Sequence, residues 1–246
     1  MTVSELTLRE PRLRTVKASE RVALDIVRDI VLRGLKTGDR LPLEAAMVNE
    51  YGVSRSSLRE ALRLLEVQGL ISLKPGPGGG PVVGTVDPAH FARTAALYFH
   101  LGAATYADAM RTQVLMESSC ARLAAMNPDR AAVMKPWLEQ ELVTDLAAFR
   151  DMTVGFHGAV YRLADNPVLS LLTQVITHIV TQHVLLTMDP VELRGEIIDE
   201  HAELARIIAS GDAQGAEREM ACHFQRQHDY FSARLPARLQ DSIEWR

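Results

Sequence analysis

The chain has 246 residues, 47% of them hydrophobic, which suits one large or two ordinary domains with a real apolar core. Its longest apolar stretches, such as LLTQVITHIV at 171–180, fall short of the ~18 residues that a membrane span needs, and the charged start MTVSELTLREPRLRTVK lacks the apolar core of a secretion signal. A soluble, cytoplasmic protein with no membrane partner is expected. The net charge of −4 hides an asymmetry: residues 1–86 hold 13 Lys/Arg and 10 Asp/Glu, residues 87–246 hold 14 and 21, and all eight histidines lie in the second part. Such a split suggests two domains with different partners. Two cysteines, Cys120 and Cys222, give no disulfide framework and read as small buried side chains in a reducing compartment.

Residues 1–18 read as an N-terminal tail. From Ser19 to about Leu35, Val22, Ile26, Val27, Ile30, Val31 and Leu35 follow helical spacing, until Gly34 and KTGDRLP end the helix. A short second helix is expected over 43–51, broken by Gly52. Ser54 is placed to cap a third helix that runs to about Gln68, where Gly69 stops it. ISLK and PVV then bracket a glycine-rich turn as two short strands. Three helices and a hairpin within 19–86 outline a winged helix-turn-helix. Beyond it strand signals vanish, and helices are expected over 89–101, 105–126, 129–149, 151–165, 168–187, 190–210 and 212–234, punctuated by Asn127-Pro128, Asn166-Pro167, Asp189-Pro190 and Gly211-Asp212. Residues 87–240 therefore read as an all-α bundle. The expected fold class is mainly α, a winged helix-turn-helix followed by a helical bundle.

The stretch YGVSRSSLREALRLLEVQGL at 51–70 carries two stripes. Arg55, Arg59 and Arg63 recur every four residues and share one helix face, while Leu58, Ala61, Leu62 and Leu65 form the packing face. Alone, this fits an ordinary amphipathic surface helix equally well. The short helix and Gly-Val turn before it match the helix-turn-helix layout, in which the second helix enters the major groove by its N-terminal end. Arginine can read guanine O6 and N7, and the Ser56 and Ser57 hydroxyls with the free helix-start N–H groups suit phosphate. Glu60 could steady an arginine of the row or simply be exposed. Lys74, at the base of the wing, is placed to meet a phosphate. The glycine turn KPGPGGGPVV is no nucleotide cradle, because it leads into an extended segment and lacks Gly-Lys-Ser/Thr.

GDRLPLEAAMVNEYGVSRSSLREALRLLEVQGLISLKPGPGGGPVV resembles the DNA-binding domain of GntR-family bacterial transcription regulators over about residues 19–84. The resemblance implies DNA contacts by Arg55, Ser56, Ser57 and Arg59, with Arg40, Lys74 and Gly76 counted beside them and the wing near the minor groove. Some members carry a DNA-contacting arginine directly after the "LP.E" glutamate; here that position is Ala45.

In the second domain, His201 lies ten residues before Gly211 and His223 twelve after it. In an antiparallel pair of helices that difference is about 3 Å in height, so the two rings can meet. His157 belongs to an earlier helix, and three histidines from three helices can converge inside a bundle. Scattered helix histidines are, however, more often surface or core residues than ligands. "FH..V..LADNPVL" at 156–169, "DEHAELARIIASGDA" at 199–213 and "M..HF" at 220–224 are similar to the ligand domain of the FadR-type branch, with its all-helical FCD domain, over about residues 90–235. In many members an Asp four residues before the first histidine and three histidines hold metal. His157, His201 and His223 match, whereas the Asp position is Thr153, and Asp151 points about 240° away round the helix. An arginine four residues before the glutamate of ESSCARLAA is replaced by Gln113.

The resemblance thus implies a three-histidine site with no fixed anionic ligand. It would hold a divalent ion such as Zn²⁺ or Ni²⁺, or line a metal-free pocket for an organic acid or acyl effector. Gln113, Thr153, His157, His178, His201 and His223 are the expected effector contacts. His178 stands level with His157 if their helices are antiparallel, though it reads more readily as a polar spot on a mostly buried helix. The functional expectation is a homodimeric, ligand-responsive regulator, a repressor, on a palindromic double-stranded operator. A metal-dependent hydrolase is the alternative, since three histidines and a water also form a catalytic pattern.

Overall fold

A computed structural model of the protein describes residues 17–76, 79–85, 87–139, 145–184 and 191–245. The tail expected before Lys17 lies outside the described residues, as does the loop around Asp189-Pro190. The chain divides into two compact units, Met1–Asp87 and Pro88–Arg246.

The first unit holds α1 (Ala18–Leu32), α2 (Glu44–Tyr51), α3 (Arg55–Val67), β1 (Ile71–Lys74) and β2 (Gly80–Val83). Gly52 ends α2 at φ 61°, a left-handed conformation that glycine adopts without the steric penalty a Cβ brings. The next helix starts two residues on, where the Ser54 hydroxyl accepts the Ser57 N–H at 3.1 Å. Leu58, Ala61, Leu62 and Leu65 of α3 pack with Val22 and Ile26 of α1 and Met47 of α2 into one core. The wing is antiparallel, in register from Ile71↔Val83 to Lys74↔Gly80. Its inner strand is extended by residues before α2: Arg40 bridges to Val82, and the Leu41 N–H donates to the Pro81 carbonyl at 2.9 Å.

The second unit is helical among its described residues: α4 (Pro88–Leu101), α5 (Tyr106–Met126), α6 (Arg130–Met134), α7 (Leu146–Ala164), α8 (Pro167–His183), α9 (Arg194–Ser210), α10 (Ala213–Arg234) and α11 (Pro236–Gln240). Helix α5 is central, packing on α7, α8, α9 and α10. Local sequence sets the boundaries. Thr105 and Asp108 form a reciprocal cap, Asn166 caps α8 ahead of Pro167, and Asp212 caps α10.

One expected division is corrected. The sequence reading placed helices at 129–149 and 151–165 with a break at 150. Instead α6 ends at Met134, a 3₁₀ turn covers Lys135–Trp137, and α7 runs unbroken through 150. Pro136 has no N–H to continue α6, and Asp145 caps α7 by accepting the Ala148 N–H at 2.8 Å. Trp137 lies so close to α7 that a Cβ on Gly155 would sit 2.9 Å from its ring. Cys222 is a second correction: it is exposed, one helix position away from buried His223, whereas Cys120 is buried as expected.

The C-terminal residues form a clasp that the sequence reading did not anticipate. Thr105 and Ser242 form a β-bridge, and the Ile243 N–H donates to the Ala104 carbonyl at 2.8 Å. The hydroxyl of fully buried Tyr106 accepts the Glu244 N–H and hydrogen-bonds His183 Nδ1, both at 3.0 Å. Removing that hydroxyl takes an acceptor from the part-buried Glu244 N–H and a partner from the buried His183 ring. Tyr106→Phe is expected to lower stability in urea unfolding by about 1–3 kcal/mol, whereas Tyr98→Phe, on an exposed ring, is expected to change it little.

Candidate functional site

Helices α7, α9 and α10 each present one histidine to the interior of the second unit. His157 is 6% exposed and His201 and His223 are fully buried. One ligand atom from each lies within 4.8 Å of the others, the only such His/Cys/Asp/Glu group among the described residues. Their ring centroids stand 5.0–5.7 Å apart. Phe156 stacks on His201 at 4.2 Å, and Phe224 packs against His157 and His223. The consecutive Phe156-His157 and His223-Phe224 pairs thus wall the imidazoles with aromatic rings.

The ligand group is three histidines with no carboxylate among them, as the sequence suggests, yet carboxylates stand behind it. Two carboxylates flank it. Glu200 Oε2 lies 2.5 Å from His223 Nδ1, and Glu200 also pairs with Arg226. Glu117, fully buried on α5, places Oε2 3.5 Å from His157 Nδ1. Glu117 Oε1 accepts the Tyr161 hydroxyl at 2.5 Å and the Thr177 hydroxyl at 3.0 Å, and the Gln113 amide donates to Thr177 at 3.1 Å. Glu117 was not among the expected site residues. Its place in ESSCARLAA, on an alanine-rich helix face that must be buried, was the available signal.

The remaining donors are unpartnered. Glu117 Oε2, His157 Nδ1 and both nitrogens of His201 are buried and make no hydrogen bond. Buried polar groups ordinarily find partners, so this concentration of bare acceptors and donors makes the group a candidate ligand site. Burial pushes His201 well below the ordinary imidazole value, and the neighbouring His157 and His223 push it further, which keeps the ring neutral and competent to ligate. Burial also lowers His223, against the opposing hydrogen bond to Glu200. The Tyr161 phenol is raised by burial and by the Glu117 charge, so it remains a donor to that carboxylate.

The other expected contacts are placed as follows. Gln113 is buried and bound to Thr177, one link from Glu117. The Thr153 hydroxyl donates to the Phe149 carbonyl of its own helix at 3.0 Å. His178, half-buried on α8, is not in the three-histidine group.

On the first unit, Arg55, Ser56, Arg59 and Arg63 are exposed on α3, and Arg40, Lys74 and Gly76 are exposed near the hairpin; Ser57 is half-buried. Ser56 and Ser57 each place their hydroxyl 2.9 Å from that of Ser54. Glu44, rather than Glu60, steadies the row: Arg59 Nε donates to Glu44 Oε2 at 2.9 Å. That leaves the two terminal Nη groups, the pair that can grip a guanine edge.

A helix-turn-helix with a wing, joined to a helical unit enclosing a ligand-type histidine group, defines a regulator that couples DNA binding to a small ligand. The profile "Bacterial regulatory proteins, gntR family" matches residues 18–79, and the FCD domain profile matches residues 108–226. The chain belongs to the GntR family of bacterial transcription regulators, in the group that carries an FCD domain. It is 33% identical over 140 residues to the Uxu operon regulator of Haemophilus influenzae; the match covers 54% of this chain and 49% of that protein, about half its length. It is 25% identical over 235 residues to the HTH-type transcriptional repressor NanR of Edwardsiella tarda, covering 87% of this chain and 85% of that one. The solved Streptococcus agalactiae GntR shares the fold with a TM-score of 0.62 at 18% identity, over 86% of this chain and 99% of that chain. Family and relatives make the chain a regulator and set the hydrolase alternative aside.

The buried rings also predict a pH response. A histidine whose folded pKa lies below its unfolded value takes up a proton on unfolding, so stability falls as pH drops through the unfolded value. His201 and His223 both lie below 6.5 in the fold. Burial pushes Glu200 up, but His223 and Arg226 outweigh it and hold the carboxyl below 4.5, so its contribution is lost at lower pH. Metal-free protein is therefore expected to lose thermal stability as pH falls from 7 through about 6.5, with a further loss below about 4.5. A melting temperature flat from pH 7 to 5 would contradict the neutral-ring assignment.

Proposed function

We propose that this protein is an effector-responsive repressor that reads a palindromic operator as a homodimer. Helix α3 would enter the major groove, with Arg55 and Arg59 at base edges and Ser56 and Ser57 at phosphates. Arg40, Lys74 and Gly76 would lie along the backbone and at the wing. Two half-sites are required because one module offers too small an interface for tight binding, and two-fold dimers match half-sites about one helical turn apart. The repressor reading is supported by the printed name of the NanR relative. The cytoplasm is the compartment in which such a protein meets its operator.

In the second unit we assign His157, His201 and His223 as the holders of a divalent ion, Zn²⁺ or Ni²⁺. The single observation that carries this is the convergence of three buried histidines, one ligand atom from each within 4.8 Å of the others, with both nitrogens of His201 free of any hydrogen bond. Three neutral imidazoles suit zinc, and water or an effector atom can complete a tetrahedral set. The ion would supply a Lewis-acid anchor for the acidic end of an organic effector. Gln113 and Thr153 would line the approach, and Phe156 and Phe224 keep the imidazoles in an apolar wall. Gln227 Nε2 lies 2.9 Å from His223 Nε2, so its amide must swing aside for that nitrogen to ligate.

Three outcomes test this reading. Arg59→Ala is expected to weaken binding of the specific operator by about 1–3 kcal/mol, as for loss of a bidentate guanine contact. Lys74→Ala is expected to weaken specific and random duplexes alike and to flatten the salt dependence, since a phosphate contact carries no sequence information. Unchanged operator affinity in both Arg55→Ala and Arg59→Ala would remove α3 from the groove. For the second unit, calorimetric titration with Zn²⁺ is expected to show one site per chain, lost in His201→Ala. Absence of heat from the wild-type protein would leave the metal-free pocket with an organic effector.

A further inference from the structure

The residue four before His157 carries no charge, and its hydroxyl proton is already given to the Phe149 carbonyl. Helix α7 thus brings a neutral ligand to the site and nothing to balance a dication. Two carboxylates stand behind the histidines, and they are not equivalent. Glu200 already has a fixed cation beside it, Arg226, which it shares with Glu219 at 2.8 Å. Glu117 has no arginine or lysine beside it among the described ion pairs; its ion-pair contact is with His157.

The two oxygens of Glu117 are also used differently. Oε1 is saturated by the Tyr161 and Thr177 hydroxyls, which pin the carboxylate to α7 and α8. Oε2 has no donor and lies 3.5 Å from the equally bare His157 Nδ1. A small tilt of the imidazole turns this approach into a hydrogen bond. The N–H would then sit on Nδ1, leaving the Nε2 lone pair for a cation. A carboxylate behind a ligating histidine fixes the tautomer and raises its basicity.

We propose that Glu117 supplies, through His157, the negative charge that position 153 does not carry, so that the three-histidine site is balanced from α5. The inference rests on the metal reading above and goes beyond it, because Glu117 is a positioning residue that does not touch the ion. It also makes positions 117 and 153 interchangeable sources of one charge, a relation that a purely structural role for Glu117 would not create.

Full-length wild type, Glu117→Gln, Thr153→Asp and the double variant are titrated calorimetrically with Zn²⁺, with far-UV circular dichroism confirming that each is folded. Glutamine keeps the shape and an acceptor and removes the charge, so Glu117→Gln is expected to bind Zn²⁺ roughly 10–100-fold more weakly. Thr153→Asp in that background is expected to restore affinity to near the wild-type value, and to gain much less in the wild-type background. Such non-additivity is the signature of two groups serving one role. With Co²⁺ in place of Zn²⁺, the visible absorption bands of wild type and Glu117→Gln are expected to coincide, because the atoms touching the ion are the same.

Equal Zn²⁺ affinity in wild type and Glu117→Gln overturns the inference. A loss that Thr153→Asp does not restore overturns it too, leaving Glu117 a structural residue. Altered Co²⁺ bands would make Glu117 a direct ligand and overturn its assigned position. Absence of Zn²⁺ binding by the wild type is a separate outcome: it overturns the metal reading first and this inference with it.

Discussion

Three histidines and Glu117 are buried together in the interior of the helical unit. Imidazoles and carboxylates are stripped of water only where hydrogen bonds or opposite charge compensate. Glu117 shows how tightly this constrains the fold. One oxygen collects hydroxyls from α7 and α8, the other faces the ring of His157, and the backbone belongs to α5. A single carboxylate therefore fixes the register of three helices. Gln113, one turn earlier on α5, adds a second tie to α8 through Thr177. The aromatic residues next in sequence to two of the histidines close the remaining space, so the polar cluster sits inside an apolar shell rather than in a wet channel. That surrounding keeps His201 neutral and leaves its nitrogens available.

The first unit meets the opposite requirement, since its cations must remain in water. The stripe of Leu58, Ala61, Leu62 and Leu65 fixes which way α3 rolls, and the arginines are exposed as a consequence of that packing. Gly52 and Ser54 set where the helix begins, which places the first-turn N–H groups at the exposed end. Glu44 then restrains one member of the row by its Nε. A guanidinium held on its Nε edge has fewer rotamers to lose when it meets a base, so less ordering entropy opposes the contact.

Much of this was legible in the sequence because it rests on local rules. Ser54, Asn166, Gly211 and Asp212 cap or end helices by short-range geometry, and the apolar stripe of α3 follows from period alone. The meeting of His201 and His223 followed from counting residues about one turn. What was missed depends on long-range placement. The break expected at 150 is absent because the boundaries are set by Pro136 and by the Asp145 cap. The clasp over Tyr106 joins residues 138 apart in sequence, and no local pattern encodes that pairing. The two flanking carboxylates were invisible for the same reason. Glu117 is one glutamate among many until α5 is known to be central, and Glu200 is distinguished from Asp199 only by the face it occupies. Composition could not place Cys222: adjacent helix positions differ by about 100°, enough to separate its exposed thiol from the buried ring of His223.

The charge inventory of the cavity also bears on what kind of effector it would take. Under the proposed reading the three ligating groups are neutral and Glu117 contributes one negative charge, so a bound dication leaves the cavity net positive. The arginine expected one turn before Glu117 is Gln113, whose amide is committed to Thr177. No fixed cation from that position would remain to meet an anionic effector, and the attraction would come from the ion itself. Effector and metal affinities would then be thermodynamically linked: each would raise the other by the same factor, as any two ligands coupled through one protein must. A site of this kind joins ion occupancy to effector occupancy, whereas a site with its own arginine could hold an organic acid whether or not the ion were present.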